Sequence, residues 1–312
     1  MGELSKKVGE AGESLVEEFL KLIGWGAVER GVQLTCAKPE KHKTTSANRQ
    51  THGIDFLFSY KSPLIDEVLQ NVLISAKFSS EPYLENPRSK FRDHFSDLTG
   101  TLECFRSSEL RQQIMSRRTG FQDVHDVGVL IWLSNAKESY NDLLGRIETS
   151  HVPDDNPFEA IYVVDNKRIA FIYDSVIFAR KQFPGAAIEF YYHETGRNMN
   201  PLTTTRSGAI LPAEFITSSV LAFRVEPSAS HDITLLLFLN DPFTEDALRR
   251  MIGLAQSLSG SWASRIWICF PDYNALAHSN TVQAVKTGFE DKRVTETVQV
   301  ACITSSFLNL QH

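Results

Sequence analysis

Val72-Leu73-Ile74-Ser75-Ala76-Lys77-Phe78 decides how this chain is read, together with the run before it, Gly53-Ile54-Asp55-Phe56-Leu57-Phe58. Both have the composition and period of β-strands. In the first run, Ile54, Phe56, Phe58 and Tyr60 are expected on one face, with Asp55, Leu57 and Ser59 on the other. In the second, Val72, Ile74, Ala76 and Phe78 oppose Leu73, Ser75 and Lys77. Strand residues two apart project together, so pairing of the two strands brings Asp55 toward Ser75 and Lys77. A carboxylate and an ammonium group among apolar neighbours suit phosphodiester hydrolysis. One or two carboxylates suffice to seat a divalent ion. A lysine beside them can orient the attacking water or offset charge on the phosphorane.

Upstream, Val8, Gly12, Leu15, Phe19 and Leu22 fall on one stripe at helical spacing, which predicts a helix over about 5–23 that stops at Gly24 and Gly26. Glu13, after Gly12, is its candidate functional acid. Residues 27–36 read as a first strand. A polar loop over 38–50 then carries four basic residues against one acid. Lys41, Lys43 and Arg49 from this loop, with His52 beside the next strand, are candidates for gripping a phosphate backbone. Downstream, Phe91, Phe95, Leu98, Leu102 and Phe105 predict a long helix over 89–117, with Gly100 as its candidate break. Val127 to Leu133 is an apolar run typical of a strand buried on both faces. The order over residues 1–150 is α-β-β-β-α-β.

A linker-like stretch at 149–157 opens a second domain, 158–312. Residues 160–163 and 168–173 read as a hairpin around Asp165-Asn166, and further strands are expected at 187–192 and 215–225. A β-α-β-α-β run follows (232–239, 244–258, 265–270, 274–289, 298–304), which predicts a partly parallel sheet. The fold class is α/β throughout. Asp241-Pro242-Phe243 and Asp272 follow strand ends, where open α/β sheets bind ligands.

The 312 residues suit two domains, and 42% hydrophobic with 22% charged residues describes a globular chain. No apolar run approaches the roughly 20 residues of a membrane span, and the N-terminus lacks a secretory signal, so no membrane association and a cytoplasmic location are expected. A net charge of -6 leaves nucleic-acid binding to a local basic surface. Cys36, Cys104, Cys269 and Cys302 contain no CxxC pair, which argues against structural zinc; each reads as a small buried hydrophobe. There is no GxxxxGK[ST] loop for an NTPase and no GxSxG nucleophile elbow. His125-Asp126 reads as turn chemistry.

Gly12-Glu13 on a helix that ends at Gly24-Trp25, Gly53-Ile54-Asp55 on a strand and Ser75-Ala76-Lys77 on the next resemble the PD-(D/E)xK nuclease superfamily, in texture nearest to Holliday-junction resolvases and Mrr-type restriction enzymes. The resemblance covers about residues 5–135. It implies a restriction-endonuclease-like core and a Mg²⁺- or Mn²⁺-dependent DNA endonuclease, with Asp55, Glu13 and the Ala76 carbonyl at the metal and Lys77 as catalytic lysine. It also implies a role in bacterial restriction or anti-phage defence, with a second defence protein or a second copy of the chain as partner. Ser75 departs from the pattern, which has an acid there. Glu10, Glu67 and Glu81 are candidates to replace it. The alternative is a catalytically inactive nuclease-fold subunit that binds nucleic acid or regulates a partner nuclease.

Overall fold

The structure, a computed structural model, describes residues 2–43, 47–136, 143–152, 156–198, 206–228, 232–260 and 262–303, with backbone alone over 2–11. The chain forms two compact units. The first holds residues 1–169 with 197–199 and 212–217, and the second holds the remainder.

In the first unit the order is α1 (Gly2–Leu22), β1 (Glu29–Thr35), β2 (Thr51–Lys61), β3 (Val68–Ser79), α2 (Arg88–Arg106), α3 (Glu109–Ser116), β4 (Asp123–Ser134), α4 (Leu143–Ile147) and β5 (Ile161–Val164). The five strands lie side by side in sequence order. β1, β2 and β3 pair antiparallel; β4 and β5 add in parallel. The expected α-β-β-β-α-β core is therefore present, with β5 extending its sheet.

The α2 stripe is as expected: Phe91, Phe95, Leu98, Leu102 and Phe105 are all buried, against Leu57, Leu73 and Leu130 of the sheet. Each such side chain contributes about 1.5–3 kcal/mol of transfer free energy. Gly100 lies inside α2 and does not break it; the break falls after Arg106, where the Ser108 hydroxyl accepts the Arg111 N–H and starts α3. In α1 the buried stripe runs through Gly12, Val16, Phe19 and Leu20, and on to Ile23 just past the helix, a step round from the expected one. Gly12 is where the helix meets the sheet: a Cβ there would stand 2.4 Å from Cγ of Phe78 on β3.

Two sequence expectations fail locally. His125 and Asp126 belong to β4, and the buried Asp126 carboxylate accepts from Arg111 Nε at 2.7 Å and Asn71 Nδ2 at 2.8 Å. The hairpin at 160–173 is instead β5 followed by α5 (Asn166–Gln182). The Asp-Asn pair that reads as a turn begins a helix: Asp165 Oδ1 accepts the Arg168 N–H at 2.9 Å. β5 joins the first sheet, so residues 158–169, read with the second half, are built into the first unit.

The second unit contains β6 (Ala187–Tyr191), β7 (Ser207–Gly208), β8 (Val220–Glu226), β9 (Thr234–Leu239), α6 (Glu245–Ser259), β10 (Arg265–Phe270), α7 (Ala275–Thr287), α8 (Lys292–Thr297) and β11 (Val298–Cys302). Its sheet order is β11-β10-β9-β8-β6-β7. β9, β10 and β11 are parallel, as the β-α-β-α-β run predicts. The strand expected over 215–225 begins only at Val220. A 3₁₀ turn over Ala213–Phe215 precedes it. Asp272, one of the two strand-end acids, accepts the Phe243 N–H at 2.7 Å and so ties two loops together.

Candidate active site

β2 changes faces at Asp55. Ile54 packs into the α2-side core with Leu34. Phe56, two residues on, lies under the Arg30 guanidinium, and Arg30 pairs with Glu17 of α1 on the other side of the sheet. Phe58 stacks on Trp25 and on Tyr60. The expected placement of Ile54 with Phe56, Phe58 and Tyr60 on one face is therefore corrected. On β1, Val32 packs with the α2-side core while Arg30 lies over Phe56. Between them stands Gly31 with φ of +58°, a left-handed conformation that glycine adopts without strain. A strand that crosses over in this way opens the sheet locally. The β2–β3 ladder runs only as far as Phe56 opposite Ile74.

Asp55 projects into that opening. Its Oδ2 accepts the Ala76 N–H at 2.7 Å, so the carboxylate lies against the β3 backbone one residue before Lys77. On its other edge Ala76 pairs with Ile131 of β4, which holds the peptide in place. Lys77 reaches across to α2, where its Nζ stands 4.0 Å from Asp97 Oδ2. Asp97 also binds the Arg49 guanidinium, and Arg49 donates to the Thr51 carbonyl at 2.9 Å. A cleft of about 640 Å³ is lined by Glu13, Ala76, Lys77, Glu81, Lys90 and His94. His94 meets Trp132 edge-on. Burial, then the charges of Lys77 and Lys90, lower its pKa to about 4, so its ring is neutral near pH 7.

The structure thus brings together Asp55 with Ala76, and Glu13 with Ala76 and Lys77. Ser75 is buried. Of the acids considered in its place, Glu81 lines the cleft. Glu67 stands just before β3, eight residues from Ser75 and so about 26 Å along the strand. The Glu10 side chain lies outside the described residues. Asp97 was not anticipated. It sits between Phe95 and Leu98 of the α2 stripe, and only the packing of α2 on the sheet carries it to Lys77.

Of the candidate phosphate-gripping residues, Lys41, Lys43 and Arg49 all line a second cleft of about 670 Å³ with Asp93 and Asp97. Lys41 also pairs with Glu103 at 3.0 Å. His52 is a correction: it is fully buried, with its ring against His42, and has no surface to offer a phosphate. Burial first, then the charges of Arg49 and His42, lower its pKa to about 4. The reading of the thiols is corrected in part: Cys36, Cys104 and Cys269 are buried, but Cys302 is exposed. Cys36 and Cys104 face each other at 3.9 Å.

Among the described residues no helix is long and apolar enough to cross a membrane. No curated protein matches the chain. The family model for the GAPS4 protein PD-(D/E)XK nuclease domain matches residues 1–168, the whole of the first sheet with α1 and α2. The match covers more than half of the 312 residues, and this chain belongs to the GAPS4 PD-(D/E)XK nuclease family.

Proposed function

We propose that the first unit hydrolyses DNA phosphodiester bonds with a bound Mg²⁺ or Mn²⁺ ion, in bacterial restriction or anti-phage defence. The observation that carries this reading is the Asp55 carboxylate lying on the Ala76 N–H beside Lys77. A strand residue directs its N–H and C=O to the same edge, so the Ala76 carbonyl faces the gap that Asp55 enters. A carboxylate and a carbonyl there are the hard oxygen donors that Mg²⁺ takes, its remaining positions being filled by water and phosphate. A bound ion would polarise the phosphate and acidify a coordinated water. Lys77 holds that water or the phosphate oxygen, and Glu13 assists from the helix side of the cleft. Asp97, next to Lys77, supplies the second acid that Ser75 lacks. Lys43 and Arg49, on the second cleft, track the nucleic-acid backbone. The second unit serves recognition or assembly, with a second defence protein or another copy of the chain as its partner.

Ser75 supports one other reading, a non-catalytic subunit that binds nucleic acid or regulates a partner nuclease. Purified full-length chain incubated with circular DNA, linear DNA and RNA, with Mg²⁺, Mn²⁺ or EDTA, separates the two. The expected result is metal-dependent DNA cleavage that falls at least about 100-fold in Asp55→Asn and in Lys77→Ala. Salt-sensitive binding with no cleavage under any metal points to the second reading. Cleavage unchanged in both variants overturns the site.

A further inference from the structure

We propose that Cys36, His42, His52 and Cys104 bind a structural Zn²⁺ ion that fastens the β1–β2 loop to α2. All four residues are buried, and one donor atom from each lies within 4.8 Å of the others. Cys36 Sγ and Cys104 Sγ are 3.9 Å apart. Each sulfur is 3.4 Å from His42 Nδ1, which is 3.1 Å from His52 Nε2. A tetrahedron with Zn–S near 2.3 Å and Zn–N near 2.05 Å has edges of about 3.8 Å for S···S, about 3.5 Å for S···N and about 3.3 Å for N···N. Four of the six edges match to within a few tenths of an ångström, and the two from the sulfurs to His52 Nε2 are no longer than 4.8 Å. A disulfide would need the sulfurs near 2.05 Å.

The surroundings suit a metal centre as well as the donors do. His42 uses Nδ1 toward the cluster and gives Nε2 to Glu103 Oε2 at 2.8 Å. Glu103 is clamped in turn by Lys38 at 2.6 Å and Lys41 at 3.0 Å. A carboxylate on the far nitrogen of a ligating histidine fixes its tautomer and raises its basicity. His52 turns its Nδ1 to the Thr101 hydroxyl at 3.3 Å, which leaves Nε2 for the cluster. The Ala37 N–H donates to Cys104 Sγ at 3.3 Å, which favours the thiolate. Two thiolates and two neutral imidazoles cancel the charge of a divalent ion. An S₂N₂ tetrahedron closed by four protein ligands selects zinc and leaves no open position for catalysis.

Cys36 follows β1, His42 lies in the loop, His52 stands at the start of β2 three residues before Asp55, and Cys104 is on α2. The ion therefore joins three elements of the first sheet's architecture. It holds in place the loop that carries Lys43 and Arg49. The inference stands independently of the proposed nuclease chemistry, because its readout is metal content.

The full-length protein, purified from zinc-supplemented cells, is expected to carry one equivalent of zinc by elemental analysis. Refolding with Co²⁺ should give the intense visible absorption and the thiolate charge-transfer bands of a tetrahedral S₂N₂ site. A strong chelator at elevated temperature should lower its melting temperature. Cys302→Ser, outside the cluster, should keep the metal, and Cys36→Ser with Cys104→Ser should lose it. Should that pair fail to fold, the Co²⁺ spectrum of the unaltered chain still decides. Zinc-free protein that gives no such cobalt spectrum overturns the proposal. So does an intact mass two hydrogens light with no metal bound, or full zinc content in the double variant.

Discussion

Replacing Gly12 by alanine sets two effects of opposite sign against each other. Inside a helix, alanine is favoured over glycine by about 1 kcal/mol, so on propensity alone the variant is the more stable. The packing says otherwise. The new Cβ would lie 2.4 Å from Cγ, 2.6 Å from Cβ and 2.8 Å from Cδ2 of Phe78. Ordinary carbon contacts begin near 3.5 Å, so α1 and β3 must separate by about 1 Å or Phe78 must leave its rotamer. Phe78 Cβ is fixed to the backbone and cannot swing aside. Overpacking of this kind costs about 1–3 kcal/mol, which offsets the propensity gain and leaves a net loss of up to about 2 kcal/mol. Activity should suffer more than stability, because Phe78 follows Lys77 directly. A displacement of about 1 Å at a catalytic group can cost on the order of 100-fold in rate. The measurement is the denaturant midpoint of the first unfolding transition, at unchanged slope, paired with cleavage rate. A variant as stable as the parent, or more so, with its cleavage intact would refute the close approach of helix and strand.

Asp126→Ala removes a carboxylate that is 1% exposed and takes the acceptor from Arg111 Nε and Asn71 Nδ2. A loss of about 3 kcal/mol is expected, at the lower end for a broken buried pair because Arg111 retains some access to water. A midpoint shift worth less than about 1 kcal/mol would contradict it. Asp97→Asn should raise the Mg²⁺ concentration needed for half-maximal cleavage and lower the rate about 100-fold, leaving DNA binding in EDTA little changed; an unaltered metal dependence removes Asp97 from the site. His94 tests the sign of a titration. Its pKa falls to about 4 in the folded chain from an ordinary 6.5, so the folded ring is neutral where the unfolded ring takes up a proton. Its contribution to stability is complete above about pH 6.5 and is lost as the pH falls toward 4. His94→Gln should flatten the stability profile across that window, and two parallel profiles would show that His94 does not carry the effect.

What the sequence revealed divides along a physical line. Period along one element was legible: the α2 stripe from Phe91 to Phe105 and the parallel β9-β10-β11 run both stand as read. Relations across elements were not. Asp165-Asn166 satisfies a turn as well as a helix start. The choice rests on buried Ile169, Ile172, Val176 and Ala179, whose helical spacing was present and unused. Cys36 and Cys104 are 68 residues apart, so no local spacing announces the group they form. A polar His52 amid an alternating apolar strand was the one available signal of it.

Asp55 makes the same point from the other direction. Strict alternation put Ile54 and Phe56 on one face, and that is where the pattern fails, because the strand crosses the sheet between them. A regular strand would pair its neighbour's Ala76 N–H with a backbone carbonyl, leaving no room for a side chain. By breaking the ladder after Phe56, the crossover frees that N–H for the Asp55 carboxylate and opens a gap at the edge of β3. The local irregularity is thus the condition for the site. An acid in an uninterrupted strand would project above or below the sheet, not into it, and could not share an edge with the Ala76 peptide. Glycine at position 31, with its positive φ opposite this point, lets β1 follow the crossover, so the residue most responsible for Asp55's placement carries no functional group at all.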